Sequence, residues 1–352
     1  MKTQDGRQRS LLRWVLPLAA AGCLAAVTNS VHAQPTNTIL KTVEVPLPSG
    51  VVVTPDNKYV YVVSNNYDAL YRIDISTQTV ESNTIALGGN AQFLAIAPKG
   101  GEVLVANPVD GYNGGIWGVP GTVSVITGAQ STTPSLKQVI AGMGVYANCV
   151  GINPTGTQAW VGNQFEGDCS VINLLKNTVS PYPIQTGDGP VCIKFTADGK
   201  NAYVVNYYDN TVDEINVATQ LIVGNPVPVA EYPTHIAITP DGTKAYVSGF
   251  SGSVSVIDTA TNTVTTTIAI TTSEYGNYWF GSAMTPDGLY LYVPNQNAQT
   301  VVMISTATDT IVGSPITLGQ TPGTIAISPN GKFAYINQMY NWTVAIVKIT
   351  GG

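Results

Sequence analysis

Two side chains stand out in a chain that carries little obvious chemistry: Lys194 and His235. Only 10% of the 352 residues are charged, and there are just two histidines, His32 and His235. An amine beside an imidazole can hold an anion or, with a carboxylate in reach, move protons in a hydrolysis or elimination. Cys149 and Cys192 could join His235 in a zinc or copper site, since thiolate and imidazole are the donors those ions take. The same two cysteines are also the first choice for a disulfide, which would leave Cys169 as an odd thiol. The carboxylates Glu166, Asp168, Asp188, Glu231 and Glu274 have no ligand spacing and read as solvated loop charges. There is no G-x-S-x-G or H-E-x-x-H motif and no flavin or nucleotide fingerprint, so no cofactor is expected and any triad could use only His235.

The elements that would position these groups come from a repeat. A Pro-Asp-Gly-like turn recurs at Pro55, Pro98, Pro154, Ala197, Pro240, Pro286 and Pro329, with spacings of 43, 56, 43, 43, 46 and 43 residues. Such a period belongs to propellers, in which each repeat supplies one four-stranded blade. In each copy an apolar strand leads to the turn and a second strand leaves it, as in "HIAITPDG" and "KAYVS". A third strand such as "SVSVID" and a Thr-rich outer strand such as "TVTTTIAI" complete the copy. The expected fold is therefore all-β, a seven-bladed β-propeller of four-stranded blades.

The second strands carry the tetrads "YVVS", "LVAN", "WVGN", "YVVN", "YVSG", "YVPN" and "YINQ", from residue 61 to residue 338. In these the sequence resembles the YVTN-type β-propeller repeat family over essentially all of residues 34–352. The resemblance implies a secreted or surface-exposed seven-bladed propeller and says little about function.

The seventh copy ends after its third strand, "WTVAIVKITGG", and an orphan outer-type strand, "TILKTVEVPL", stands before the first hairpin. Pairing the two would complete blade seven and close the ring without an exposed edge. Lys194 lies three residues before its turn, where other copies have Ala95, Gly151, Ala237, Ala283 and Ala326. His235 lies five before, in a ring with Gly50, Phe93, Cys149, Cys192, Gly281 and Thr324. The pleat puts both positions on the same side of the innermost strand, so Lys194 and His235 should share the central channel. Equivalent positions in a rotational array point the same way around the ring, so Cys149, Cys192 and His235 need not converge on a metal.

One face is formed by the loops that join outer to inner and second to third strands. Blade two carries ten extra residues there, in "VDGYNGGIWGVP", and extra residues after blades two and five are assigned to the same face. Its aromatic residues Tyr112, Trp117, Tyr146, Phe165, Tyr207, Tyr208, Tyr232, Tyr278 and Trp279, with His235, form the candidate ligand-binding set. The expected role is recognition of a small molecule, saccharide or protein partner. A lyase or lactone hydrolase working at the channel mouth through His235 and Lys194 is the alternative, and a structural envelope or surface-layer protein a third.

The first 33 residues read as a signal peptide: Lys2, Arg7, Arg9 and Arg13, then "WVLPLAAAGCLAAV", then Val31-His32-Ala33. That implies a periplasmic or secreted protein without a transmembrane segment in residues 34–352; lipid attachment at Cys23 is disfavoured by Ala20. Without the leader, 11 Lys and Arg face 20 Asp and Glu, since four bases and one acid leave the totals of 15 and 21. With no basic cluster visible, nucleic acid is excluded as an expected partner, and a monomer is expected.

Overall fold

The repeated Thr-Pro-Asp-Gly phrase is a turn that closes on itself. The Thr239 hydroxyl donates to Asp241 at 2.6 Å and accepts the Lys244 amide at 3.1 Å. The bond from the Thr239 hydroxyl, helped by the Thr243 amide, holds the Asp241 carboxyl below its ordinary value of 3.8. Thr54 with Asp56, Thr196 with Asp198 and Thr285 with Asp287 repeat the arrangement. The glycine that follows sits at positive φ, 69° at Gly199 and 73° at Gly242, where a side chain would be strained. Each copy thus supplies its own hairpin from local bonds alone.

The computed structural model describes residues 33–65, 67–108, 118–270 and 281–351. These form seven antiparallel sheets arranged as a seven-bladed β-propeller, with no helix among the described residues. In blade four the strands are Pro190–Phe195, Asn201–Asn206 and Thr211–Asn216, with the outer strand broken into Leu221–Ile222 and Val227–Pro228. Blades one and three have similarly broken outer strands, at 79–86 and 178–185. Gly224 and Pro226 in one, and Pro181 and Pro183 in another, interrupt pairing because proline has no amide to donate.

The tetrads explain themselves in this frame. Their tyrosines, Tyr61, Tyr203, Tyr246, Tyr292 and Tyr335, are fully buried between blades. Three reach the following blade: Tyr61 donates to the Ala129 carbonyl at 2.8 Å, Tyr246 to Asp309 at 2.5 Å and Tyr292 to Asn37 at 2.9 Å. The asparagine that ends a tetrad is also buried. Asn163 donates to Ser170 at 2.8 Å and Asn206 to Asp213 at 2.9 Å, and these acceptors bind the Gly144 amide of blade two's outer strand and the Gly187 amide of the loop before blade four. Between successive blades lie apolar clusters such as Trp160, Cys169, Val171, Ile193 and Val204.

The ring closes as expected: Thr36–Glu44 pairs antiparallel with Thr343–Thr350 and completes blade seven. Val43 and Val45 are buried against Val344 and Ile346, so closure removes apolar surface as well as a sheet edge. One assignment is corrected. The extra residues after blade two lie in the link between Pro120–Thr127 and Ser135–Val145, on the turn side and not on the loop face. This seven-residue link, where the corresponding links of the other complete blades have four, is shaped by Arg72. The buried guanidinium pairs with Glu81 at 2.5 Å, donates to the Ser131 carbonyl at 2.6 Å and lies 4.1 Å from the Tyr59 ring centre. A buried cation needs that many partners, and the longer turn supplies carbonyls for it.

Candidate binding face and channel

The loop between blades sets the aromatic side chains. Immediately before an inner strand the backbone turns through positive φ, and where blade four uses Gly189, blades three and five use Tyr146 at 57° and Tyr232 at 52°. For bulky residues this conformation costs on the order of 1 kcal/mol or more. It presents both rings on the loop face. Tyr146 packs on Phe165 with ring centres 4.7 Å apart. Tyr207 packs against Tyr208, Tyr232 and Phe250 at 5.2, 5.4 and 5.9 Å. Gln164 joins the two groups by accepting from Asn148 at 3.0 Å and donating to the Tyr208 hydroxyl at 3.4 Å. Phe165, Tyr208 and Tyr232 remain nearly half exposed. Five of the expected ligand-binding residues, Tyr146, Phe165, Tyr207, Tyr208 and Tyr232, thus form one patch over blades three to five. Tyr112, Trp117, Tyr278 and Trp279, with Glu274, lie outside the described residues.

A second feature of this face was readable in the sequence and is missed by residue-type searching. None of its connecting loops contains Lys, Arg or His, while Asp68, Glu166, Asp188, Asp209 and Glu231 are exposed there. Lysines instead occupy the opposite turns, as Lys58, Lys99, Lys176, Lys200 and Lys332. Sorting charges by loop type shows the segregation; counting net charge does not. The aromatic patch is therefore rimmed by unbalanced negative charge.

The channel is a cavity of about 420 Å³ lined by the inner strands, including Gly50, Phe93, Lys194, His235, Ala237, Gly281, Ser282, Ala283, Thr324 and Ala326. Lys194 and His235 share it, as the pleat requires. Lys194 is exposed to the lumen and, among the described residues, makes no ion pair or hydrogen bond. The His235 ring is half-buried and leans on blade six, with Nδ1 3.2 Å from Ser282 Oγ. Burial, and then the nearby Lys194 charge, push its pKa down from 6.5 to about 3, so the imidazole is neutral at physiological pH.

The cysteines are not brought together with it. Among the described residues the three thiols, Cys149, Cys169 and Cys192, are free and buried, and the Cys149–Cys192 bridge is absent. Cys149 packs between blades three and four, beside Gly162 and Pro190, whereas Cys192 packs between blades four and five with Ile236 and Val247. A bulge just before each of these positions repeats from blade to blade, so each side chain leans onto the next blade and none onto its equivalent. The same geometry separates Cys149, Cys192 and His235 as a metal set, and no group of three or more His, Cys, Asp or Glu suited to a metal occurs among the described residues. Burial pushes the Cys149 and Cys192 thiols above their ordinary range, keeping them protonated.

Residues 165–310 match the family described as Lactonase, 7-bladed beta-propeller, a span that includes Lys194, His235 and Ser282. The fold is similar to that of Kuenenia stuttgartiensis hydrazine synthase, with a TM-score of 0.70 and 20% identity over 86% of this chain and 96% of that one. At that identity the likeness speaks to the fold alone. No curated protein matches the sequence.

Proposed function

We propose that the protein is an exported propeller of the YVTN type that binds a partner protein through its loop face, by a segment bearing Arg or Lys. The observation that carries this reading is the convergence of Tyr146, Phe165, Tyr207, Tyr208 and Tyr232 into one patch, with no basic residue in any loop around it. Aromatic faces attract guanidinium and ammonium groups, and the exposed Glu166, Asp188, Asp209 and Glu231 favour the same charge. Two aromatic residues held in a strained backbone support a role for this face in recognition. The test is titration of the purified protein with a dye-labelled Arg-rich peptide, an acidic peptide and a neutral oligosaccharide. Saturable, salt-sensitive binding of the first alone, weakened at least tenfold by Phe165→Ala with Tyr208→Ala, is the expected result. Equal binding of all three, or none, rejects it.

Lactone hydrolysis is the second reading, favoured by the family match over residues 165–310. Its weakness is chemical. An imidazole whose pKa is pushed to about 3 is a feeble base, and among the described residues lining the cavity no carboxylate is present to orient it. Turnover of simple lactones that is abolished by His235→Ala would replace the binding reading with this one.

A further inference from the structure

The seven blades act as internal controls for one another, and they isolate Lys194. At its position the other inner strands carry Val52, Ala95, Gly151, Ala237, Ala283 and Ala326. Packing therefore does not require a long side chain here, and the small residues opposite leave the lumen open. An ammonium group without a counter-charge is costly in a confined site unless it is solvated or used. Among the described residues that line the cavity, none is acidic, although acids outnumber bases in the chain as a whole. The lumen thus has the opposite sign to the loop face above it.

We infer that the central channel is a binding site for a small organic carboxylate, held by the Lys194 ammonium and seated against apolar inner-strand side chains. The cavity, at about 420 Å³, is of the size that accepts a small organic molecule. Phe93, Leu94, Phe195 and Met284 give it apolar wall for the body of such a ligand. A neutral imidazole carries one N–H. The site uses the tautomer in which Nδ1 accepts from the Ser282 hydroxyl and the N–H is on Nε2, beside Gly281, where a side chain would crowd the ring. It offers a second donor near the ammonium without adding a charge. The Thr324 hydroxyl is committed elsewhere, donating to the Ser49 carbonyl at 2.6 Å and accepting from Asn337 at 2.7 Å, so Lys194 and His235 are the two donors assigned to the ligand. This site is independent of the loop-face reading, because it uses none of the aromatic patch.

The probe is benzoate, with benzamide as its neutral analogue, followed by calorimetry or chemical-shift titration of the purified protein. Benzoate is expected to saturate and benzamide to bind at least tenfold more weakly, as loss of a charge-assisted bond implies. Lys194→Ala, the residue four sister blades carry, should fold normally and lose benzoate binding at least tenfold. Should that variant unfold, Lys194→Met keeps the side-chain length without the charge and serves the same purpose. Phe165→Ala with Tyr208→Ala should leave benzoate binding unchanged, which separates this site from the loop face. Equal binding of benzoate and benzamide, full retention in the folded Lys194 variants, or no saturation by about 50 mM would each overturn the inference.

Discussion

The two faces of the propeller are built from the same seven repeats and have diverged in opposite directions. The turn face repeats itself: a Thr hydroxyl bonds an Asp carboxylate in the hairpins of blades one, four, five and six, Ser328 bonds Asn330 at the same place in blade seven, and Tyr246, Lys244 and Asp309 are joined across blades five and six. Two of its lysines are balanced by acids at short range, Lys58 with Asp56 and Lys200 with Asp198. The loop face repeats little. It carries the strained tyrosines, the half-exposed rings and acids without bases. One end of each blade is spent on holding the ring together, which frees the other to vary.

The largest test of this division is the closing strand. Deleting Thr38 to Val45 uncovers the edge of blade seven together with Val344 and Ile346, which pack on Val43 and Val45, and should cost about 3–6 kcal/mol and promote aggregation. Denaturant unfolding with size-exclusion chromatography measures both; an unchanged midpoint and monomeric elution would show that closure contributes nothing. Next comes the turn face itself. Tyr246→Phe removes the bond to Asp309 and Thr239→Ala unpicks a turn, each at about 1–2 kcal/mol in thermal or urea melts. Phe165→Ala on the loop face should cost less than about 0.5 kcal/mol, since that ring is an exposed surface group. Equal losses on the two faces would erase the distinction.

Between the faces, His235 predicts a smaller, pH-dependent effect. Its folded pKa lies below the unfolded value of 6.5, so the folded state binds fewer protons. Stability from this group is complete above pH 6.5 and falls as the pH drops from there towards about 3. His235→Gln should flatten that part of the stability profile; an unaltered profile would mean the ring is solvated and unshifted. Smallest of all, replacing residues 110–119 with a short Gly-Ser link should leave the melting temperature unchanged while weakening partner binding. A variant that fails to fold would make Trp117 part of the core.

Local chemistry made the fold legible. A hairpin turn bonded within five residues and a second strand whose side chains alternate between the two neighbouring blades both recur seven times, so repeat number, strand order and ring closure could be read from the chain. Lys194 and His235 in one channel followed from the pleat alone. Relations between blades were not legible. Whether Cys149 meets Cys192 depends on the direction each side chain takes after the inner-strand bulge, and that direction points every one of them at its neighbouring blade. The extra residues after blade two were placed on the wrong face because length does not tell which link absorbs them; Arg72, buried beneath the turn, decides it by demanding the carbonyls of Ser131 and Thr132. The aromatic patch gathers residues from blades three to five, whose proximity arises only when successive sheets are packed side by side. Bonds within a repeat are written in its own residues, whereas a contact between repeats depends on two backbones and on the angle at which they pack.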